Sequence, residues 1–236
     1  MEFNIRYMKK LFIVLIILAK INLIASAAQG LSPCNKFKKK PEIEFYSSYG
    51  KLIYNQSNNQ RQLTQLGEKY GIVEHGLFAS GLATVGVNYQ VSIDATAQML
   101  ENGKYCVVPE KIKVYIGYQN PTIYMASDLR EGSCEQNIVK RHEQTHQQIN
   151  ITALEYFLPK FQKSVRAILK GIEPQLVNSE EQIEPSIQSQ TEVYLKKIEP
   201  LVNFFKAELL KEQGKLDRTE NYQFEGNLCR YYKSHH

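Results

Sequence analysis

The chain changes character near residue 130, and that change limits the folds open to it. Before that point, β-branched and aromatic residues alternate with polar ones in short runs: Glu42 to Tyr46, Thr84 to Ile93, Tyr105 to Val108, Ile112 to Tyr118 and Thr122 to Met125. Ile112, Val114 and Ile116 alternate with Lys111, Lys113 and Tyr115, the period of two expected of a strand buried on one face. Gln60 to Tyr70 suits a short helix. After Gly132 the strand signal ends. Ser133 suits an N-cap, with Gln136 as its capping-box partner, opening a helix to about Leu158. Pro159 kinks or restarts it, and Phe161 to Leu169 continues the apolar spacing. Gly171 to Pro174 is a break. A long polar helix then runs from about Leu176, with Ile183, Ile187, Tyr194, Ile198, Leu201, Phe205 and Leu209 as a packing stripe interrupted at Pro185 and Pro200. In 236 residues this makes one α+β domain, with 29–130 mainly β and largely antiparallel, and 131–236 mainly α.

Residues 1–28 stand outside that domain. Arg6, Lys9 and Lys10 precede the apolar stretch Leu11 to Ala19, and Ala25-Ser26-Ala27 supplies small residues at its end. This is the pattern of a signal peptide, or of an N-terminal anchor if Lys20 snorkels and the segment stays uncleaved. Beyond residue 28 no run of about 18 apolar residues remains, which excludes a multi-span membrane protein. Cys34, Cys106, Cys134 and Cys229 are widely spaced, with no CxxC pair. In an exported chain they most simply form two disulfides, and of the three possible pairings we expect Cys34–Cys106 and Cys134–Cys229.

The formal charge of +5 resides mostly in the leader, leaving 25 basic and 23 acidic residues in the rest. The single basic cluster, Lys36 with Lys38, Lys39 and Lys40, reads as a solvated arm, so nucleic acid is not an expected partner. Membrane contact is expected only through the N-terminal segment.

One segment carries chemistry: Arg141-His142-Glu143-Gln144-Thr145-His146, a His-Glu-x-x-His motif. On a helix His142 and His146 project from one face a turn apart, the spacing that lets two imidazoles grip one Zn2+. Glu143 is rotated aside, where it can serve as general base to a zinc-activated water rather than as a ligand. The reaction class that follows is attack of a zinc hydroxide on an acyl carbon, most often that of a peptide bond, with a non-peptide amide such as a cell-wall bond open to the same chemistry. A catalytic zinc needs a third protein ligand. Glu155, nine residues past His146, falls off the ligand face, and Asn150 can support the site only from behind the ligands. Asp217 or Glu220, in an acidic cluster that also holds Glu225, is the expected source, with His75 as rival.

Gly132-Ser133-Cys134-Glu135 leading into His142-Glu143-Gln144-Thr145-His146 resembles a bacterial family of predicted secreted zinc-dependent proteases. Gly76-Leu77, Cys106-Val107-Val108-Pro109, Ile116-Gly117-Tyr118 and Ile123-Tyr124 are similar to its sheet half, and Leu216-Asp217-Arg218-Thr219-Glu220 to its C-terminal acidic segment. The resemblance spans about residues 40–230. It implies export to the periplasm or cell envelope, or secretion, together with zinc, a metallopeptidase activity on protein or peptide substrates, and a zincin-like domain. Strand Thr122 to Met125 would then be the substrate-binding edge strand. Some members carry a His shortly after the acidic segment, where this chain has Tyr222. The reading that competes with a peptidase is a non-enzymatic envelope protein with a structural or vestigial metal site.

Overall fold

The computed structural model describes residues 32–73 and 76–235, with side chains to 231. The leader and His75 lie outside the described residues. A 3₁₀ turn, Pro33–Phe37, leads into β1 (Glu42–Ser48), β2 (Ile53–Asn55), α1 (Gln60–Lys69), β3 (Gly81–Met99), β4 (Tyr105–Met125), α2 (Cys134–Leu169), β5 (Gln175–Val177), α3 (Ile183–Leu216) and α4 (Thr219–His235).

All five strands are organised around β4, which is 21 residues long. Along one side β3 pairs with it antiparallel, from Gly81 against Met125 to Met99 against Tyr105. On the other side three short strands follow one another: β5 against Tyr105 to Val107, β1 against Lys111 to Gly117, and β2 against Thr122 to Tyr124. Pro109 and Pro121 fall in the two gaps between these partners. A proline has no N–H to give a ladder, so both occupy places where none is required. The sequence suggests three strands here; there is one.

The largely antiparallel sheet expected from the alternation is corrected by this topology. β1 and β2 run parallel to β4, so three of the five strands share a direction. Alternation of apolar and polar residues reports which face is buried, and it is the same for either direction. The strand Thr122 to Met125 is corrected too: it is interior, flanked by β2 and β3, and is no edge.

Helices α2 and α3 cover one face of the sheet. Ile112, Val114 and Ile116 turn inward, as their alternation predicts, against Leu154, Phe157, Phe161 and Val165 of α2 and Tyr194, Ile198, Val202, Phe205 and Leu209 of α3. Phe157 and Phe205 stack with ring centroids 4.5 Å apart at the centre of this layer. Helix α2 is continuous over 36 residues with Pro159 inside it. Helix α3 begins at Ile183 rather than near Leu176, which instead pairs with Cys106 in β5. Pro185 therefore falls in the first turn, where a missing N–H costs nothing, and only Pro200 lies in the helix interior.

The two disulfides pair as expected, Cys34–Cys106 and Cys134–Cys229. The first ties the N-terminal turn to β4, and the second ties the start of α2 to α4. Paired cysteines of this kind indicate an oxidising compartment. Among the described residues, no helix is long and apolar enough to cross a membrane.

Candidate metal centre

Helix α2 has a defined start. Ser133 Oγ accepts the Gln136 N–H at 3.1 Å, and Gln136 Oε1 in turn accepts the N–H of Gly132 at 2.8 Å. The reciprocal bond thus lands one residue before the cap, where Gly132 takes a positive φ of 70°. Two turns further on, His142 and His146 leave one face of the helix and meet Asp217, the residue that ends α3.

Three atoms converge there. His142 Nε2 and His146 Nε2 are 3.2 Å apart, and Asp217 Oδ1 lies 3.2 Å from the first and 3.0 Å from the second. Ligands at about 2.0–2.1 Å around a tetrahedral cation stand about 3.3 Å from one another, so this triangle is close to one face of such a shell. The outer nitrogens are already engaged. His142 Nδ1 is 3.1 Å from Glu225 Oε2, a carboxylate that only accepts, and His146 Nδ1 is hydrogen-bonded to Gln213 Oε1. Gln213 is fixed in that sense because its Nε2 donates to the His146 carbonyl at 3.1 Å and to Asn150 Oδ1 at 2.6 Å. When neutral, both imidazoles therefore carry their N–H on Nδ1, and three electron-rich atoms face one another across about 3 Å; a further proton on Nε2 lets an imidazolium donate to Asp217. A shared proton or a metal ion is what holds such a group together. Outer-shell partners that fix the tautomer in this way are the rule at histidine metal sites. The His142–His146–Asp217 group, two buried imidazoles and a carboxylate open to solvent, could bind a metal ion.

Glu143 stands beside the group without joining it. It is 6% exposed, and the backbone N–H of Ala83 in β3 donates to its carboxylate. Burial pushes its carboxyl up to about 7, against the pull of His146 and His142. Burial alone would lower both imidazoles, but Asp217 and the charge of Glu143 outweigh it and raise them. For Asp217 burial again opposes the outcome: hydrogen bonds from His142, His146 and Tyr222 hold it well below the usual carboxylate range.

The close approach of β3 depends on Gly81. A Cβ there would stand 2.5 Å from Glu143 Oε1 and 2.6 Å from Val139 Cγ1. Since the Cβ would also stand 2.8 Å from Glu143 Cγ, and Val139 is stiff at its branch, turning the carboxylate aside does not relieve the crowding, and we expect Gly81→Ala to cost about 1–3 kcal/mol, the range of overpacked sites, measured by urea unfolding. An unchanged midpoint would show that β3 can lift away from α2.

No family model matches the chain, and neither does any curated protein or solved structure. The site is therefore read from its own residues.

Of the two acids expected as third ligand, Asp217 is in the group, while Glu220 is exposed in the first turn of α4 and outside it. Glu155 is elsewhere, accepting from Tyr49 at 3.0 Å. Asn150 supports the site from behind, through Gln213. Two residues escape the sequence reading. Gln213 lies four residues before Asp217, one helical turn, and that spacing is the signal for it. Tyr222 donates its hydroxyl to Asp217 Oδ1 at 2.8 Å and stacks on His142 with centroids 4.9 Å apart, five residues past the ligand and across a helix–helix corner that no periodicity reveals.

Proposed function

We propose that this chain is a zinc-dependent peptidase exported to the periplasm or cell envelope, or secreted, with residues 1–28 as its signal. His142, His146 and Asp217 hold the zinc, and extended protein or peptide segments are the substrates. The observation that carries this reading is the three-atom triangle with an uncoordinated carboxylate beside it. Zinc, when bound, would supply Lewis-acid chemistry suited to hydrolysis by water. Glu143 takes the proton of that water and hands it to the leaving amine, a role suited to a carboxyl that titrates near neutral pH. Ala83 and Gly81 hold Glu143 in place, while Glu225 and Gln213 keep both imidazoles in the ligating tautomer. Two imidazoles and a carboxylate also suit ferrous iron. The free glutamate next to a ligand, which hydrolysis needs, favours zinc.

The test is reconstitution. The chain is stripped with a chelator, reloaded with one equivalent of zinc or of iron, and presented with a broad peptide library. Hydrolysis is expected to return with zinc alone. A fully loaded chain that cleaves nothing in the library removes the peptidase reading.

Burial favours a second reading, a metal centre without turnover. His142 is 4% exposed and His146 8%, with the Tyr222 ring lying across His142. A hydroxamate that perturbs the visible spectrum of the cobalt-loaded chain would argue for an open coordination position, and an inert spectrum for the closed centre.

A further inference from the structure

Among the described side chains, none of helix α4 belongs to the main apolar core. Among its described side chains only Cys229 is buried, and Phe224 is 65% exposed. Several of its attachments meet the end of α3, the metal-site residues and the start of α2. Asn221 Nδ2 donates to the Lys215 and Leu216 carbonyls at the end of α3, at 3.1 and 2.9 Å. Tyr222 reaches Asp217 and His142, Glu225 reaches His142, and Cys229 is bonded to Cys134. Positions 222, 225 and 229 follow at three and four residues, so these links to α2 leave one face of α4. A helix of 17 residues whose described side chains include one that is buried has little stability of its own. The covalent bond keeps it beside α2 at a high effective concentration.

We propose that the Cys134–Cys229 disulfide is a redox latch on the metal centre. With the bond intact, α4 presses Tyr222 and Glu225 onto two of the three metal-holding residues. A dithiol reductant breaks the bond, leaving thiols at Cys134 and Cys229 while the dithiol is oxidised to its own disulfide. Helix α4 then leaves α2, His142 loses the acceptor that fixes its tautomer, Asp217 loses a hydrogen bond, and the metal is held more weakly. The sheet with α2 and α3 stays folded, since its buried cluster includes none of the described side chains of α4. The latch deepens the metal reading of the same site and depends on it.

The experiment compares the full chain with Cys134→Ser/Cys229→Ser and, as control, with Cys34→Ser/Cys106→Ser. Zinc affinity is read by competition with a chromophoric chelator, and α4 by amide hydrogen exchange over 219–231. Removing the Cys134–Cys229 bond is expected to lower zinc affinity about 10–100-fold, the usual cost of an outer-shell defect, and to strip protection from α4 alone. Glu225→Ala in the fully oxidised chain is expected to reproduce part of the loss. Unchanged affinity in Cys134→Ser/Cys229→Ser overturns the latch and leaves the metal reading standing. Loss of protection throughout the sheet in that variant overturns it as well, because the bond would then be a general staple. A parent chain that binds no zinc overturns both.

Discussion

In the Glu143→Gln variant peptide hydrolysis is expected to fall about 10²–10⁴-fold, the range supplied by positioned general bases, with zinc content unchanged. The amide matches the carboxylate in size, and the ligands His142, His146 and Asp217 are untouched. Its effect on stability runs the other way. Burial disfavours the charged form of Glu143, so in the metal-free parent the folded state binds the proton more tightly than the unfolded chain does. Stability of the parent therefore falls as pH rises from the ordinary carboxylate range to about 7. A neutral glutamine has no such titration, so metal-free Glu143→Gln is expected to lose Glu143's share of this fall, leaving that of the imidazoles, and to melt at or above the parent at pH 8. Paired calorimetric scans at pH 5 and pH 8 measure the difference. Full hydrolytic activity in the variant would take the general base away from Glu143, and loss of zinc would make Glu143 a structural member of the site.

Asp217→Asn is expected to weaken zinc binding by more than the ~10–100-fold that an outer-shell change costs, because it removes a negatively charged ligand. Its pH signature is more telling than its size. In the metal-free parent both imidazoles titrate above their usual value, with Asp217 the main partner that offsets burial. Zinc must displace any proton they hold. Binding to the parent is thus expected to release protons at pH 7, more of them as the pH falls, and few well above it. In Asp217→Asn burial acts on the imidazoles without that opposition, their titration moves down, and release at pH 7 shrinks. Titration calorimetry in buffers of different ionisation heat counts the protons. Equal release from both proteins would place the cation somewhere other than this triangle.

The local parts of this architecture are legible in the residues. Strands β1, β3 and β4 announce themselves by alternation, and the α3 stripe by steps of three and four, because one segment suffices to display each period. His142 and His146 are legible for the same reason. Direction and partnership are not local. Pro109 and Pro121 look like strand ends, since a proline breaks a ladder, yet here they sit where β4 changes partner and no donor is required. β5 is only Gln175–Val177, and its partner lies some 70 residues earlier, so nothing nearby marks it. At the metal centre the acidic cluster around Asp217 is visible as a cluster, but its members divide by the angle of the α3–α4 corner. Asp217 faces the imidazoles, Glu225 reaches behind one of them, and Glu220 turns to solvent. That angle is set by packing and by the Cys134–Cys229 bond.

The serial docking of three short strands on one rim of β4 gives the sheet a modular wall. β2 is only Ile53–Asn55, and it borders the site helix through the 2.9 Å hydrogen bond from Gln144 to the Tyr54 hydroxyl. A lengthened or exchanged β2 would reshape that flank, while the long ribbon of β3 and β4 kept the register that brings Ala83 to Glu143. That flank can accordingly be re-engineered without disturbing the aim of the carboxylate, in a library confined to residues 51–58.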